Sequence, residues 1–365
     1  MMMNALALAT VALIATSPAF AQDWPAERAK LVAAAEKEGS LVMYVQPNKS
    51  ARDFVQQEWA KAFPKIDVSL SVMNHPEFMA RIQTERSAGK YLWDVAFTGA
   101  SSGYVLSKRG VIDPLLPEMR DPEVNRPEAW GGWDEAFVDV DRKYVFSMSA
   151  FTASGFYNAM YIPPEKAESQ RLKIMLAPEY KGKSVWHDPT TPGAGQAFAF
   201  LVRRTLGDDG LRALIVDQRV NLVRQQHQVT EEMARGTAWI GLGPPVRKLM
   251  EPYTKAGVKA DPRPFGNGAD TATLSIGGST LYVFNQRPHP AATRLFVNWL
   301  LSKETQEALA KALDQGSRRR DIPWTADPDQ KPEIGAMYAA PQREENEAEL
   351  EAAVKLVEKY RQEVK

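Results

Sequence analysis

Hydrophobic and polar positions change their period in a repeating order along this chain. From Trp24 to Glu38, apolar Leu31, Ala34 and Ala35 recur among charges at helical spacing, and Gly39 follows as a natural stop. Leu41-Val42-Met43-Tyr44-Val45 is then an unbroken apolar run, short enough to be a buried strand. Pro47 to Ser50 reads as a loop, and Ala51 to Phe63 returns to helical spacing through Phe54, Trp59 and Phe63. The order repeats with a strand at Val68–Val72, a helix at Pro76–Ala88, a strand at Asp94–Phe97, and a polar Gly99–Gly103 loop before another helix. Strand, polar loop and helix in alternation predict an α/β domain with a largely parallel sheet. In such sheets ligands bind at the loops that follow the strands.

The pattern restarts further on. Tyr144–Phe151 and Ser154–Tyr157 read as strands leaving the first domain. Strands are expected at Ser184–Trp186, Asn221–Val223 and Ala238–Leu242. Helices are expected at Gln196–Thr205 and Val229–Arg235, with a loop at Gln225–Gln228. Thr280–Phe284 reads as a strand leading back. Two amphipathic helices follow, Ala291–Leu301 and Thr305–Leu313, then a charged helix from Glu344 to Lys365.

At the other end, Ala5 to Ala15 is a short apolar run, followed by the small-x-small site Ala19-Phe20-Ala21 and polar Gln22-Asp23. This predicts an export signal, residues 1–21, cut after Ala21. The run is too short to span a bilayer, which takes roughly 20 apolar residues. Zero cysteines remove disulfides, thiolate metal sites and the residue a bacterial lipid anchor requires. The expected location is therefore the periplasm, with no membrane insertion and no lipid tether.

Lysine plus arginine number 45 and aspartate plus glutamate number 45, so the formal net charge is zero. That balance argues against a general nucleic-acid binder, which needs a basic face for phosphates. A P-loop lysine motif and His-Glu-x-x-His are missing from the sequence, and no catalytic constellation is expected.

Several strings together resemble the ABC-transporter periplasmic solute-binding proteins of the ferric-iron-binding type. They are Glu38 to Tyr44, Phe78 to Ala88 with Tyr91 to Gly99 (YLWDVAFTG), Ala234-Arg235-Gly236 before Ala238 to Leu242, and Gln286 to Gln306 (QRPHPAATRLFVNWLLSKETQ). The resemblance implies a two-lobed type 2 periplasmic-binding fold, with solute held between α/β lobes that are joined by two hinge crossings. It places the crossings near Ser149–Phe156 and Leu274–Leu281. Lobe 1 would comprise 22–150 and 281–365, with the C-terminal helices, and lobe 2 would comprise 151–280. It implies a monomeric receptor, not an enzyme, without cofactor, whose partners are a small-molecule solute and the transmembrane subunits of a permease. Where the ferric type carries adjacent tyrosines, this chain has Gly243-Pro244-Pro245-Val246. Ferric iron thus becomes the alternative cargo, and a ligand-sensing receptor for a signalling partner the alternative role.

Candidate solute contacts lie on the loops after strands. In the first lobe they are Gln46, Asn48, Lys49, Ser50, Asn74, His75, Ser101 and Ser102. In the second they are Thr190, Thr191, Gly193, Gly195, Gln196, His227, Gln228 and Thr230. Helix starts expose unpaired N–H groups and favour anions, so a carboxylate or phosphonate fits best. Ser102 and Thr230 fit simple helix caps equally, and Gly193 and Gly195 fit plain turns. His187 and His289 are expected to be structural. Arg318-Arg319-Arg320 is either an anion site or a solvated charge run, and Trp130, Trp133 and Trp239 are expected to be packing residues.

Overall fold

The computed structural model describes residues 23–45, 47–191, 193–276, 278–333 and 335–364. The expected export signal and Gln46 lie outside the described residues.

The chain opens with helix α1 (Trp24–Glu38), strand β1 (Ser40–Val45), α2 (Lys49–Ala62), β2 (Asp67–Val72), α3 (His75–Ser87), β3 (Val95–Thr98), α4 (Ala100–Lys108) and β4 (Ile112–Asp113). Short helices α5 (Pro127–Trp130) and α6 (Trp133–Ala136) precede β5 (Phe146–Ser147), β6 (Phe151–Ser154) and β7 (Phe156–Asn158). Then come α7 (Pro164–Gln170), β8 (Ser184–His187), α8 (Ala194–Arg212), β9 (Asn221–Val223), α9 (Gln226–Ala234), β10 (Ile240–Leu242) and α10 (Val246–Lys255). β11 (Pro262–Pro264), β12 (Ala272–Ser275), β13 (Thr280–Phe284), α11 (Pro290–Leu301), α12 (Lys303–Leu313) and α13 (Glu347–Glu363) complete it.

Two separate sheets result. The first runs β2-β1-β3-β13-β4, with β5 also on β13; the second runs β11-β7-β10-β8-β9. In the first, β1 pairs in parallel with β2 and β3, and β13 lies antiparallel to β3, β4 and β5. In the second, β8 is parallel to β9 and β10, and β7 is antiparallel to β10 and β11. Both are α/β sheets flanked by helices, each with its own core. Trp59, Phe296, Leu281 and Val283 anchor one face of the first sheet, and Phe78, Tyr104 and Tyr282 the other. Trp186, Phe198, Leu211 and Ile240 sit in the core of the second lobe.

A two-stranded antiparallel ribbon, β6 with β12, joins the lobes. It fixes which ends of the sheets face each other. β5 runs parallel to β3, because both oppose β13, and β5 leads into the ribbon. The carboxyl ends of the first sheet's parallel strands therefore lie on the ribbon side. β7 leaves the ribbon antiparallel to β10, so the carboxyl ends of β8, β9 and β10 lie on that side too. The loops that follow the parallel strands of both lobes open onto one seam.

The last helix departs from its expected place. α13 packs on α8, and its Ala353, Val357 and Tyr360 complete the second lobe's core, not the first's. The reason lies in the path after α12. Ala150 N–H donates to Gly316 C=O and Arg318 N–H to Met148 C=O, so the chain first lies along the hinge. It then meets the ribbon, where Leu274 N–H donates to Ala339 C=O at 2.9 Å, and the first lobe, where Glu344 N–H donates to Val138 C=O at 3.1 Å. From Glu344 it passes into α13 on the opposite lobe. α11 and α12 do stay with the first lobe, packed on α1 and α2.

Candidate functional site

Helix starts on the seam fall into two kinds. α2 and α3 are capped by asparagines: Ala51 N–H donates to Asn48 Oδ1 at 3.1 Å, and Glu77 N–H to Asn74 Oδ1 at 3.0 Å. Such a bond contributes about 1 kcal/mol. α9 opens with Gln228 Oε1 accepting from Gln225 N–H at 2.9 Å. α4, α8 and α10, which follow β3, β8 and β10, start without a side-chain cap among the described residues. In α4 and α10 the first-turn N–H groups and positive dipole ends are left to other partners, whereas in α8 the Gly195 and Gln196 amides already have acceptors within the loop.

The second-lobe loop is the more elaborate. β8 ends at His187, and Asp188 N–H donates to Val223 C=O at 2.8 Å. Asp188 Oδ1 accepts from the Thr190 N–H at 2.9 Å and the Thr190 hydroxyl at 2.8 Å. The Thr191 hydroxyl donates to Asp188 C=O at 2.7 Å. Gly193 stands at φ +127°, a conformation that L side chains rarely adopt, and serves as N-cap of α8. Gly195 N–H donates to His187 Nδ1 at 3.3 Å. A Cβ at Gly195 would overlap the His187 carbonyl oxygen. The β10–α10 turn closes in from the side, Gly243 (φ +106°) lying against Gly195 N and His187. Burial holds the His187 imidazole below the usual histidine range, against the opposing pull of a hydrogen bond to the Arg224 backbone and of nearby Asp188.

Several candidates have other work. Ser102 does not cap α4; Gly99 does, and the buried Ser102 hydroxyl bonds Tyr282 Oη at 3.0 Å and Gly99 C=O at 3.3 Å. Thr230 does not cap α9 either. The helix starts four residues earlier, at Gln226, which leaves Thr230 buried inside it and puts His227 and Gln228 in its first turn rather than in a loop. Lys49 pairs with Asp53 on α2, and Thr190 and Thr191 build their own turn before they can meet a solute. Ser50, His75, Ser101 and His227 are exposed, and Gln196 is half-buried on α8.

Of the triple arginine, Arg318 and Arg319 are buried and Arg320 is exposed, so it is not a solvated run as a whole. Arg319 is buried over Trp130, bonds Asp321 Oδ1 at 2.7 Å, and donates to Leu301 C=O at 2.7 Å. Arg318 is buried beside Glu135 at 3.9 Å, and its pKa is lowered to about 10 by desolvation. His289 and Asp94 form a structural pair at 2.8 Å. Trp130 is buried, its indole donating to Val124 C=O, and Trp239 stacks on Tyr161.

Sequence reasoning missed Asp188, which organises the Thr190–Thr191 turn, and the ion pairs between α10 and the segment after α12. Arg247 meets Asp329 at 2.6 Å, and Lys248 meets Asp314. The Asp-Pro-Thr-Thr string held the signal for the first, since aspartate commonly closes a turn onto the second residue after it. Among the described residues, no group of three or more His, Asp or Glu side chains is placed to hold a metal ion, and no helix is long and apolar enough to cross a membrane. A groove of about 500 Å³ lies away from the seam, on the first lobe's outer face among Trp24, Phe54, Trp299 and Thr305.

Two α/β lobes on a ribbon hinge, with uncapped helix starts on the seam, define a two-lobed binding protein. Residues 55–336 match the family described as bacterial extracellular solute-binding protein, and the chain belongs to that family. No curated protein sequence matches it. Its fold is similar to that of iron-bound HitA from Pseudomonas aeruginosa, at 17% identity and TM-score 0.63, covering 88% of this chain and 99% of that one. It is also similar to Trichodesmium FutA in complex with iron and citrate, at 16% identity and TM-score 0.65, over the same shares. PotD, a spermidine/putrescine ABC transporter substrate-binding protein from Streptococcus pneumoniae, matches at 14% identity and TM-score 0.63, again over 88% and 99%.

Proposed function

We propose that this chain is the periplasmic receptor of an ABC importer. It closes on a small anionic or polar organic solute in the seam and delivers it to the permease, working as a monomer with no catalytic step. The observation that carries the cargo class is the pair of helix starts without a side-chain cap, α4 on one lobe and α10 on the other, at strand ends that share the seam. Carboxylate or phosphonate oxygens are the natural acceptors for such N–H groups. The similar folds include receptors described with iron and one named for polyamines, so fold alone leaves the cargo open. Gly243-Pro244-Pro245 offers no phenolate oxygen beside α8, which favours an organic anion over ferric iron.

A thermal-shift screen of the chain from Gln22 onward tests this, with organic acids, phosphonates, amino acids, sugars and ferric citrate. A ligand at a hundred times its Kd stabilises by about 2.7 kcal/mol. Acids or phosphonates are expected to raise Tm. A shift from neutral sugars alone would overturn the anion reading, and a coloured complex formed with ferric citrate would establish iron instead.

A further inference from the structure

The second-lobe loop is held by the far end of the chain. Asp188 uses Oδ1 for Thr190 and turns Oδ2 to Arg361 Nη1, in the last turn of α13, at 3.1 Å. The Asp188 side chain is only 6% exposed. Arg361 is 43% exposed, so the pair is half-buried; removing the arginine leaves a carboxylate with little access to water unpaired, a larger loss than breaking a surface pair. The other α13 ion pairs are of the surface kind: in Arg204–Glu349, Arg212–Glu363 and Glu351–Lys355 both partners are about a third exposed or more, and such pairs are worth little. The geometry points to Arg361 as a positioning residue of the solute site. It keeps Asp188 seated, and Asp188 in turn sets the Thr190–Thr191 turn that leads to Gly193 and the start of α8. This inference rests on reading that loop as part of the solute site.

Amide hydrogen exchange on the full chain tests the positioning without any solute. Arg361→Gln is expected to speed exchange about tenfold at residues 190–197, with β10 and the body of α13 unchanged. Arg361→Lys should restore part of the protection. Asp188→Asn should loosen the same amides, and the double variant should add little to either single one. Arg212→Gln, which breaks a surface pair on the same helix, should leave the loop as it is. Unchanged exchange at 190–197 in Arg361→Gln would overturn the assignment, as would equal acceleration across the whole second lobe. Since no ligand enters this readout, failure of the solute screen and failure of this inference are separate results.

Discussion

The His187 imidazole accepts the Gly195 amide hydrogen at 3.3 Å, tying the end of β8 to the first turn of α8. This bond needs Nδ1 unprotonated and Gly195 without a side chain. The loop's conformation is thus fixed by a tautomer and by a missing methyl group.

Gly195→Ala would drive a Cβ into the His187 carbonyl oxygen. The backbone must shift, at a cost of about 1–3 kcal/mol. Thermal unfolding of the purified variant checks this, and an unchanged Tm would mean the loop yields freely.

Protonation of His187 is the second expectation. Burial lowers its pKa in the folded chain, so the unfolded chain binds the proton more readily. The stability tied to this residue is therefore fully present above the unfolded value of about 6.5, and is lost as pH falls through the lower folded value. His187→Gln removes the titration. Between neutral pH and about pH 5, wild type should lose more Tm than the variant, and parallel curves would refute the assignment.

Asp94 is fully buried. It accepts from Val42 N–H, His289 N–H and the His289 ring at 2.8 Å each, joining β1 to the start of α11. Asp94→Ala orphans these groups and should destabilise by about 3 kcal/mol. Denaturant titration measures it, and a loss well below 1 kcal/mol would show that solvent replaces the carboxylate.

Arg247–Asp329 and Lys248–Asp314 link the second lobe's α10 to the segment leaving α12. Their cationic partners are more than two-fifths exposed, so each pair is worth at most about 1 kcal/mol and is screened by salt. Arg247→Ala with Lys248→Ala should open the lobes in low salt, raising the radius of gyration in X-ray scattering. The difference should vanish near about 1 M salt. Equal scattering at low salt would show that the ribbon alone sets the angle.

The alternation of strand and helix was legible because buried parallel strands are unbroken apolar runs: Asn221–Val223 and Thr280–Phe284 fall where the sequence places them. Helix starts were read less well. Ser102 and Thr230 look like caps by residue type, but a glycine and a glutamine stand at those positions, and capping depends on where the chain turns rather than on which hydroxyl is near. The placement of α13 was not legible at all. Its apolar face, Ala353, Val357 and Tyr360, suits either lobe, and only the route past the hinge decides between them. Arg361 and Asp188 are 173 residues apart, a separation no local pattern reveals.

That route also bears on how the polypeptide can acquire its shape. β13 stands inside the first sheet, and α13 supplies part of the second lobe's interior. Neither half can therefore finish before nearly the entire polypeptide is available, and closing such distant contacts is slow. A nascent chain of this design stays unfinished until its synthesis is almost over.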